Sequence, residues 1–460
     1  MHRSIALFCS LLTLVVLSAF SAEAQEQVET DSLAFESKHY PALQVPQLLW
    51  NGLVYPLGRF TIYSEHTRLP QRVNNWFTNE AQTFGLLPQV QLGGETGSGG
   101  GLRSFHSDLF GAGVQAEALY VYAGGRGQTG QALLSDEEVA GGKLYWLSQF
   151  EWLKTRNQSA TINGGWRESK IRRLAVEQLD ARFSLGLRLH DYTLEQFVSN
   201  TVVEGRVSFG RRDLTQRSGV GDWPFPTPGY TVEADRLLGL GADISLFSVG
   251  ALLAYDDRDS SEPTTELSHP INYVLPGRIL HKEGDLYHQF RDIYYPERGG
   301  LLQVEADLVS GDKEVRFVRL GAEVQRFFTL FWRHRILALR ARLDKVSALG
   351  SESIVPYTEL PTLGGSQRLR GYRRGDFRGE GALLLSAEYR WPIWDSWSAY
   401  LFLDEGQVFD EFGEIEAGEL HSSWGGGINI RTAEAYLIGL RIGHSSAENA
   451  LIGFTLEQEF

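Results

Sequence analysis

Arginine and glycine are concentrated in one part of the chain, the first half of residues 363–393. Residues 363–381 contain six glycines and the arginines Arg368, Arg370, Arg373, Arg374 and Arg378. This composition predicts a long cationic loop with a flexible backbone, because glycine adopts conformations that a regular strand excludes. A guanidinium group can bind a carboxylate or a phosphate through two parallel hydrogen bonds. The chemistry available to this loop is therefore the recognition of anionic groups.

Two carboxylates follow the loop on what we predict to be neighbouring strands, joined by a short turn at residues 391–395. Strand alternation assigns one inward face to Ser386, Glu388, Arg390, Tyr400, Phe402 and Asp404. Two buried carboxylates are costly unless a cation meets them. We therefore predict that an arginine of the preceding loop pairs with Glu388 and Asp404 and folds the loop inward as a plug. The alternative is a solvated extracellular loop, or one that binds lipid phosphates.

The elements that must position these residues are strands with strict apolar–polar alternation, in segments of about ten residues. From Ala450 to Phe460, for example, Ile452 and Phe454 oppose Gly453 and Thr455. The polar faces mix both charge signs with glycine and the apolar faces end in aromatic residues, as in a barrel with a polar lumen and a lipid-facing band. In lipid, such strands must close on themselves. We predict an all-β fold, a transmembrane antiparallel β-barrel; the alternative is a soluble β-sandwich or propeller.

The first half of the chain is less regular. We predict the first strands at residues 89–94 and 114–122, separated by a turn at residues 94–101. Residues 256–298 are long, polar and rich in proline, which predicts an insertion or long loop. The predicted organisation is a signal peptide over residues 1–24, a short periplasmic N-terminal segment over residues 25–84, and the barrel over residues 85–460.

The signal peptide is predicted from the first residues of the chain. A basic start at Arg3, an apolar run from Ile5 to Ala19 and the small-residue pattern Ala22-Glu23-Ala24 indicate export and cleavage before Gln25. No later window contains the 18 or more apolar residues that a membrane helix needs.

Composition excludes several classes of protein. The chain has 460 residues, 43 Lys plus Arg against 57 Asp plus Glu, a net charge of -14, 42% hydrophobic residues and 12% aromatic residues. It is too apolar for a disordered chain, and its acidic balance argues against a nucleic-acid binder. The single cysteine, Cys9, lies in the predicted signal peptide, so the mature chain offers no thiol chemistry. We expect no metal, no cofactor and no nucleic-acid partner.

Two glycine-rich or acidic motifs have simple explanations. Gly125-x-Gly127-x-x-Gly130 has the form of a dinucleotide fingerprint, but no helix follows it, so we predict a hairpin turn. Asp256, Asp257 and Asp259 hint at calcium, but the loop glycine and the spacing of the closing glutamate are missing, so we predict a polar loop.

A hydrolase pair could also be proposed. His421 or His444, near Ser422 and Ser445, could serve a lipase built on adjacent strands. Their placement near loops favours ordinary surface residues. We therefore expect that the chain is not an enzyme.

The arginine loop and the strands after it resemble the Arg-Gly-Phe/Tyr segment of the BamA/TamA-type outer-membrane assembly barrels, the bacterial surface antigen family. The matching positions are Arg370-Gly371-Tyr372, Ser386-Ala387-Glu388-Tyr389-Arg390, Phe402-Leu403-Asp404, a Pro-x-x-Gly strand start at residues 296–300, a glycine-rich hairpin at residues 425–430, and Phe460 as the terminal aromatic of an assembly signal. The resemblance implies about sixteen strands, a loop inside the lumen, and contacts from Arg370 to Glu388 and Asp404.

The resemblance also implies a function. Such barrels assist insertion or translocation of proteins, or of lipids, at the bacterial outer membrane, through a weak seam between the first and last strands. The implied partners are outer-membrane lipid and lipopolysaccharide, and unfolded outer-membrane proteins or other exported clients. Residues 25–84 show no pattern of the periplasmic POTRA domains that usually precede the barrel. The alternative is a passive pore or structural barrel without a client.

Overall fold

The computed structural model describes most of the chain from Trp76 onward. The described residues are 76–81, 83–91, 99–125, 127–160, 172–189, 200–216, 241, 243–258, 296–330, 335–365, 367–394, 397–431, 437–445 and 451–455. The chain divides into two compact units, Met1–Trp76 and Phe77–Phe460. The predicted signal peptide, most of the N-terminal segment and the terminal Phe460 lie outside the described residues.

Eighteen strands are described. They are β1 (Phe84–Gln91), β2 (Gly99–Leu109), β3 (Val114–Tyr122), β4 (Gly127–Val139), β5 (Leu144–Ala160), β6 (Arg172–Arg188), β7 (Asn200–Gln216), β8 (Asp243–Asp256), β9 (Gly299–Gly311), β10 (Arg316–Thr329), β11 (Ile336–Ala348), β12 (Thr362–Leu363), β13 (Phe377–Arg378), β14 (Gly381–Trp394), β15 (Trp397–Phe409), β16 (His421–Arg431), β17 (Leu437–Ser445) and β18 (Leu451–Thr455).

One antiparallel sheet of 16 strands forms the protein, in the order of the chain from β1 to β11 and then from β14 to β18. The other two described strands, β12 and β13, form a separate two-stranded sheet. The predicted fold class, an antiparallel barrel of about sixteen strands, is confirmed. Short 3-10 turns lie at Tyr357–Glu359 and Phe412–Glu414. Within the described residues, no helix is long and apolar enough to cross a membrane.

The two faces of the sheet have opposite chemistry, as β15 illustrates. On this strand, Leu401 and Leu403 are 56% and 47% exposed, whereas Asp404 is 1% exposed. Large apolar side chains therefore face outward and charged side chains face inward, the reverse of a water-soluble sheet protein. This inversion favours the lipid-facing band predicted from the alternation over the soluble sandwich.

The inner wall is lined by paired charges that link several strands. Arg206 on β7 donates to Asp307 at 2.7 Å and to Glu305 at 2.9 Å, both on β9. Arg342 on β11 donates to Glu323 on β10 at 2.9 Å. A buried charge is tolerated when it is paired and hydrogen-bonded. The inner wall thus carries cross-linked ion pairs beside small apolar clusters, such as that of Leu174, Val176 and Leu214.

Three strand boundaries differ from the sequence prediction. β1 begins at Phe84 rather than residue 89 and continues through Pro88. Residues 99–101, predicted as turn, begin β2, where Gly100 and Gly101 pair with Tyr122 and Val121. The predicted turn at residues 391–395 is wrong, because β14 extends to Trp394. In each case glycine or proline suggested a break, but pairing with a neighbouring strand satisfies the backbone and overrides that local signal.

The predicted hairpin after Tyr122 is confirmed. The Ala123 amide donates to the Gly127 carbonyl at 2.9 Å, and β3 and β4 pair on either side. The predicted long loop over residues 256–298 lies largely outside the described residues. Its first residues are ordered by charge, since Arg258 donates to Asp256 at 2.9 Å and the Gly300 amide donates to Asp257 at 2.6 Å.

Candidate functional site

The candidate site is the connection between β11 and β14, residues 349–380, which we call the lumen loop. Its middle part packs against the inner faces of β14 and β15 as one buried cluster. That cluster contains Leu363, Leu369, Tyr372, Phe377, Ala382, Leu384 and Val408. The loop therefore carries its own apolar anchor onto the wall, and the alternative of a fully solvated loop is wrong for this part. Arg373 and Arg374 are the exposed members of the arginine group.

Arg370 lies at the centre of the site and is 2% exposed. Its side chain donates to Asp404 through Nε at 2.9 Å and through Nη2 at 2.8 Å, and its backbone amide donates to the same carboxylate at 2.9 Å. Nη1 donates to Glu388. Glu388 also accepts from Arg390 at 2.7 Å. One guanidinium thus joins carboxylates on two adjacent strands, in the bidentate geometry that arginine favours.

The ring of Phe402 completes the Arg370 environment. The guanidinium carbon lies 4.0 Å from the ring centroid, a cation–π distance. Phe402 and Asp404 are both inward on β15, where alternation places residues i and i+2 on one face. The structure therefore brings together Arg370, Glu388, Phe402 and Asp404, the residues that the sequence singled out.

The backbone before Arg370 is held in an uncommon conformation. Leu369 has a φ of +68°, which a residue with a side chain rarely adopts, at a cost of about 1–2 kcal/mol. Leu369 is fully buried in the lumen-loop cluster. Its packing and the Asp404 bond to the Arg370 amide offset that cost, so the turn is held by tertiary contacts.

Gly371 and Tyr372 fit the loop against the wall. A Cβ on Gly371 would lie 2.6 Å from both Ser423 Cβ and the His444 carbonyl oxygen, so only glycine fits without a shift. Tyr372 is buried, and its ring meets Phe377 edge-on with centroids 5.0 Å apart. Each residue of the Arg-Gly-Tyr motif therefore makes a different contact. Arg370 forms ion pairs, Gly371 allows a close approach to the wall, and Tyr372 packs against an aromatic ring.

A second anchor, Glu359, was not predicted from the sequence. It accepts from Arg212 on β7 at 2.7 Å and from Arg319 on β10. Burial alone would raise the pKa of Glu359, but attraction to Arg212 and Arg319 outweighs it and lowers the pKa to about 2. Arg212 lies 147 residues away in the sequence. The sequence signal that pointed toward this anchor was the placement of Arg319 on the polar face of its strand, which indicated an inward cation in need of a carboxylate.

The two anchors are connected through the loop itself. Arg378 donates to the Tyr357 carbonyl, and its guanidinium carbon lies 4.3 Å from the Tyr357 ring centroid. Tyr357 and Glu359 belong to the same 3-10 turn. The lumen loop is therefore bound to β14 and β15 through Arg370 and to β7 and β10 through Glu359.

The two histidines proposed for a hydrolase pair lie against aromatic rings. The His421 ring stacks on Phe377 with centroids 4.1 Å apart. The His444 ring lies 5.0 Å from the Trp424 ring. Among the residues that the structure describes, no group of three His, Cys, Asp or Glu side chains is arranged to hold a metal ion.

Comparisons with known proteins agree with this geometry. Residues 286–443 match the Omp85 superfamily domain, a range that contains the lumen loop and β9 to β16. No curated protein matches the chain. Among solved structures, BamA from Haemophilus ducreyi lacking POTRA domains 1-3 is similar, with 10% identity, a TM-score of 0.53, and coverage of 81% of this chain and 69% of that chain.

Two CdiB structures are also similar. CdiB from Acinetobacter baumannii has 10% identity and a TM-score of 0.47, over 80% of this chain and 58% of that chain. CdiB from Escherichia coli has 11% identity and a TM-score of 0.48, over 81% of this chain and 61% of that chain. The likeness to BamA at 10% identity concerns the fold alone. Residues 286–443 therefore match the Omp85 superfamily domain, and the fold of the chain is similar to that of the BamA barrel.

Proposed function

We propose that this protein assists the insertion or translocation of other proteins at the bacterial outer membrane. The observation that carries the proposal is the lumen loop, bound by Arg370 to Glu388 and Asp404 inside a region that matches the Omp85 superfamily domain. Its clients would be unfolded outer-membrane proteins or other exported chains. In a variant of this proposal, the molecules inserted or translocated are lipids.

The lumen loop supports a lateral route for the client. A loop held on several strands would obstruct the lumen, so a client strand would instead meet the seam between β1 and β18. An exposed strand edge is a template for pairing with another chain. Within the described residues, β1 pairs in the sheet with β2 and β18 pairs with β17. Arg370, Glu388 and Asp404 would keep the loop inside and so preserve the barrel shape on which the seam depends.

The protein's environment follows from the same proposal. Cleavage after residue 24 would release a mature chain that begins at Gln25, which mass spectrometry of the purified protein can test. The outward apolar band would contact outer-membrane lipid, with lipopolysaccharide in the outer leaflet. The proposal includes no catalytic step and no cofactor.

A passive pore or structural barrel is the rival. The observation that favours it is the charged inner wall, which could tune permeation. A large and steady conductance in a planar bilayer would support the pore, whereas a small, flickering conductance fits a lumen obstructed by its loop.

The experiment that tests the proposal is reconstitution. The purified protein is placed in liposomes, an unfolded outer-membrane protein is added, and its folding rate is compared with that in empty liposomes. We expect faster folding with the wild type and a loss of that gain with Asp404→Ala. Asp243→Ala is the matched control, because Asp243 forms a bidentate pair with Arg211 on the exposed surface. Equal folding rates with and without the protein would favour the passive barrel.

A further inference from the structure

The edge of β1 that faces away from β2 can be identified from the hydrogen bonds. In an antiparallel ladder, the N–H and C=O of one residue point to the same neighbouring strand, and successive residues alternate. The Ser107 amide donates to the Thr83 carbonyl at 2.8 Å, which fixes the residues that face β2. The alternate residues Phe84, Leu86, Pro88 and Val90 therefore present their backbone groups to the opposite edge, which we call the seam edge.

The chain just before β1 folds back onto this seam edge. Thr78 forms an antiparallel bridge with Gly85. The Asn79 amide donates to the Phe84 carbonyl at 2.9 Å, and the Leu86 amide donates to the Phe77 carbonyl at 2.8 Å. We call Phe77–Asn79 the strap. It occupies the position that the next strand of the sheet would take.

Side chains reinforce the strap. The Asn79 side-chain oxygen accepts from the Phe84 amide at 3.0 Å, and its nitrogen donates to the Thr83 hydroxyl at 2.9 Å. Phe77 and Leu86 are 37% and 47% exposed, and they are opposite one another in the register set by the Thr78 bridge. The short turn between the strap and β1 is therefore held by the hydrogen bonds of the Asn79 side chain.

The seam edge consequently has few donors left for another strand. The amides of Phe84 and Leu86 are bonded within the strap region, and Pro88 has no amide hydrogen. Of the four seam-edge residues, Val90 is therefore the one whose amide hydrogen is left to pair with another strand. Proline and a covering segment are two known ways in which sheet proteins protect an edge.

We infer that the strap is a built-in β-partner of β1, and that an incoming client strand must displace it to pair along the whole seam edge. The inference rests on the proposed function, since it specifies how access to the seam is regulated. The partner it fits is an extended segment with alternating apolar and polar residues. A segment that must be displaced lowers the apparent affinity for such a partner in proportion to the open fraction.

The test locks and unlocks the strap. In a Cys9→Ser background, Phe77→Cys/Leu86→Cys places two thiols across a pair whose spacing in a sheet suits a disulfide. Asn79→Pro removes the amide bond to Phe84 and the side-chain cap, whereas Asn79→Ala removes the cap alone. Val203→Cys/Leu253→Cys is the control lock, because these exposed residues are register partners on β7 and β8, far along the sheet from the seam.

The readout is photo-cross-linking of a synthetic peptide to β1. The probe is a peptide of about ten alternating apolar and polar residues that ends in phenylalanine and carries a benzophenone group. We expect the oxidised lock to reduce cross-linking about fivefold relative to the same protein after reduction, and Asn79→Pro to raise it about fivefold over the wild type, with Asn79→Ala between them. Oxidation of the control lock is expected to change nothing.

Equal cross-linking by the oxidised and reduced lock, together with no gain in Asn79→Pro, would overturn the inference. Amide hydrogen exchange at Leu86 checks that Asn79→Pro has opened the strap in a folded barrel. The peptide readout needs no client folding, so the two proposals can fail separately. If the protein does not accelerate client folding but cross-linking still differs between the oxidised and reduced lock, the proposed function is rejected and the inference about the strap is supported.

Discussion

Asp404 accepts three hydrogen bonds from Arg370, two from the guanidinium group and one from the backbone amide. The carboxylate therefore fixes both the side chain of Arg370 and the path of the lumen loop around it. Glu388 binds the same guanidinium but not the backbone. The two carboxylates thus differ in function: Asp404 orders the loop, and Glu388 links Arg370 to Arg390.

Loss of either partner in this pair should destabilise the barrel. Arg370→Ala leaves two carboxylates buried without their shared cation, and Asp404→Ala leaves the guanidinium half paired. Breaking a buried ion pair in this way costs about 3–5 kcal/mol. We expect both variants to unfold at lower temperature than the wild type, as measured by loss of the folded band on heating in detergent.

Arg370→Lys separates charge from geometry in the same experiment. Lysine keeps the positive charge but lacks the planar fork that binds Asp404 bidentately. We expect a melting temperature between those of the wild type and Arg370→Ala. Unchanged melting in both alanine variants would remove the argument that the loop is held as a plug.

The second anchor should make stability depend on pH in the acidic range. The pKa of Glu359 is about 2 in the folded protein. A carboxyl whose pKa is lowered by folding stabilises the folded state above its unfolded pKa, and that stabilisation is lost as pH falls through the folded pKa. We expect Glu359→Gln to cost about 3 kcal/mol at neutral pH.

The difference between the wild type and Glu359→Gln should shrink as pH falls from about 4.5 to about 2. Glu414→Gln is the control, because Glu414 lies in an exposed turn, where hydrogen bonds from the Asp410 and Glu411 amides lower its pKa. We expect a much smaller effect there. A stability difference for Glu359→Gln that stays constant across this pH range would contradict the assignment of Glu359 as an ionised anchor.

Gly371→Ala tests the close approach of the loop to β16 and β17. The added methyl group would overlap Ser423 and the His444 carbonyl, so the loop or the strands must shift. Overpacking of this kind costs about 1–3 kcal/mol. Gly413→Ala is the control, because nothing lies within 4 Å of a Cβ at that position. Chemical denaturation of both variants compares them, and equal losses of stability would argue against a tight contact at Gly371.

Conductance should report on both anchors together. We expect either anchor alone to retain the loop, so Arg370→Ala and Glu359→Gln should each give a modest increase in conductance over the wild type. The double variant should give a larger increase than the sum of the two, because interactions that act on one element are not additive. Single-channel recording in planar bilayers measures this, and a wild-type conductance as large as that of the double variant would mean that the loop does not obstruct the lumen.

The sequence determined the parts of this protein that depend on local pattern. Alternation along β15 identified which residues face inward, because successive side chains of any strand point to opposite faces. It also placed Glu388 and Asp404 on adjacent strands, from which a cationic partner could be expected. The outward apolar face follows from the same period-two rule.

Tertiary structure decided everything that depends on partners distant in the chain. The pairing of Glu359 with Arg212 and Arg319 brings together residues from three separate parts of the sequence, and no local pattern encodes it. The glycine-rich start of β2 and the strap on β1 likewise arise because backbone groups are satisfied by whichever segment lies alongside them. Local alternation fixes the direction of each side chain, but only the order of the strands in the sheet and the path of the loop fix which residues that side chain contacts.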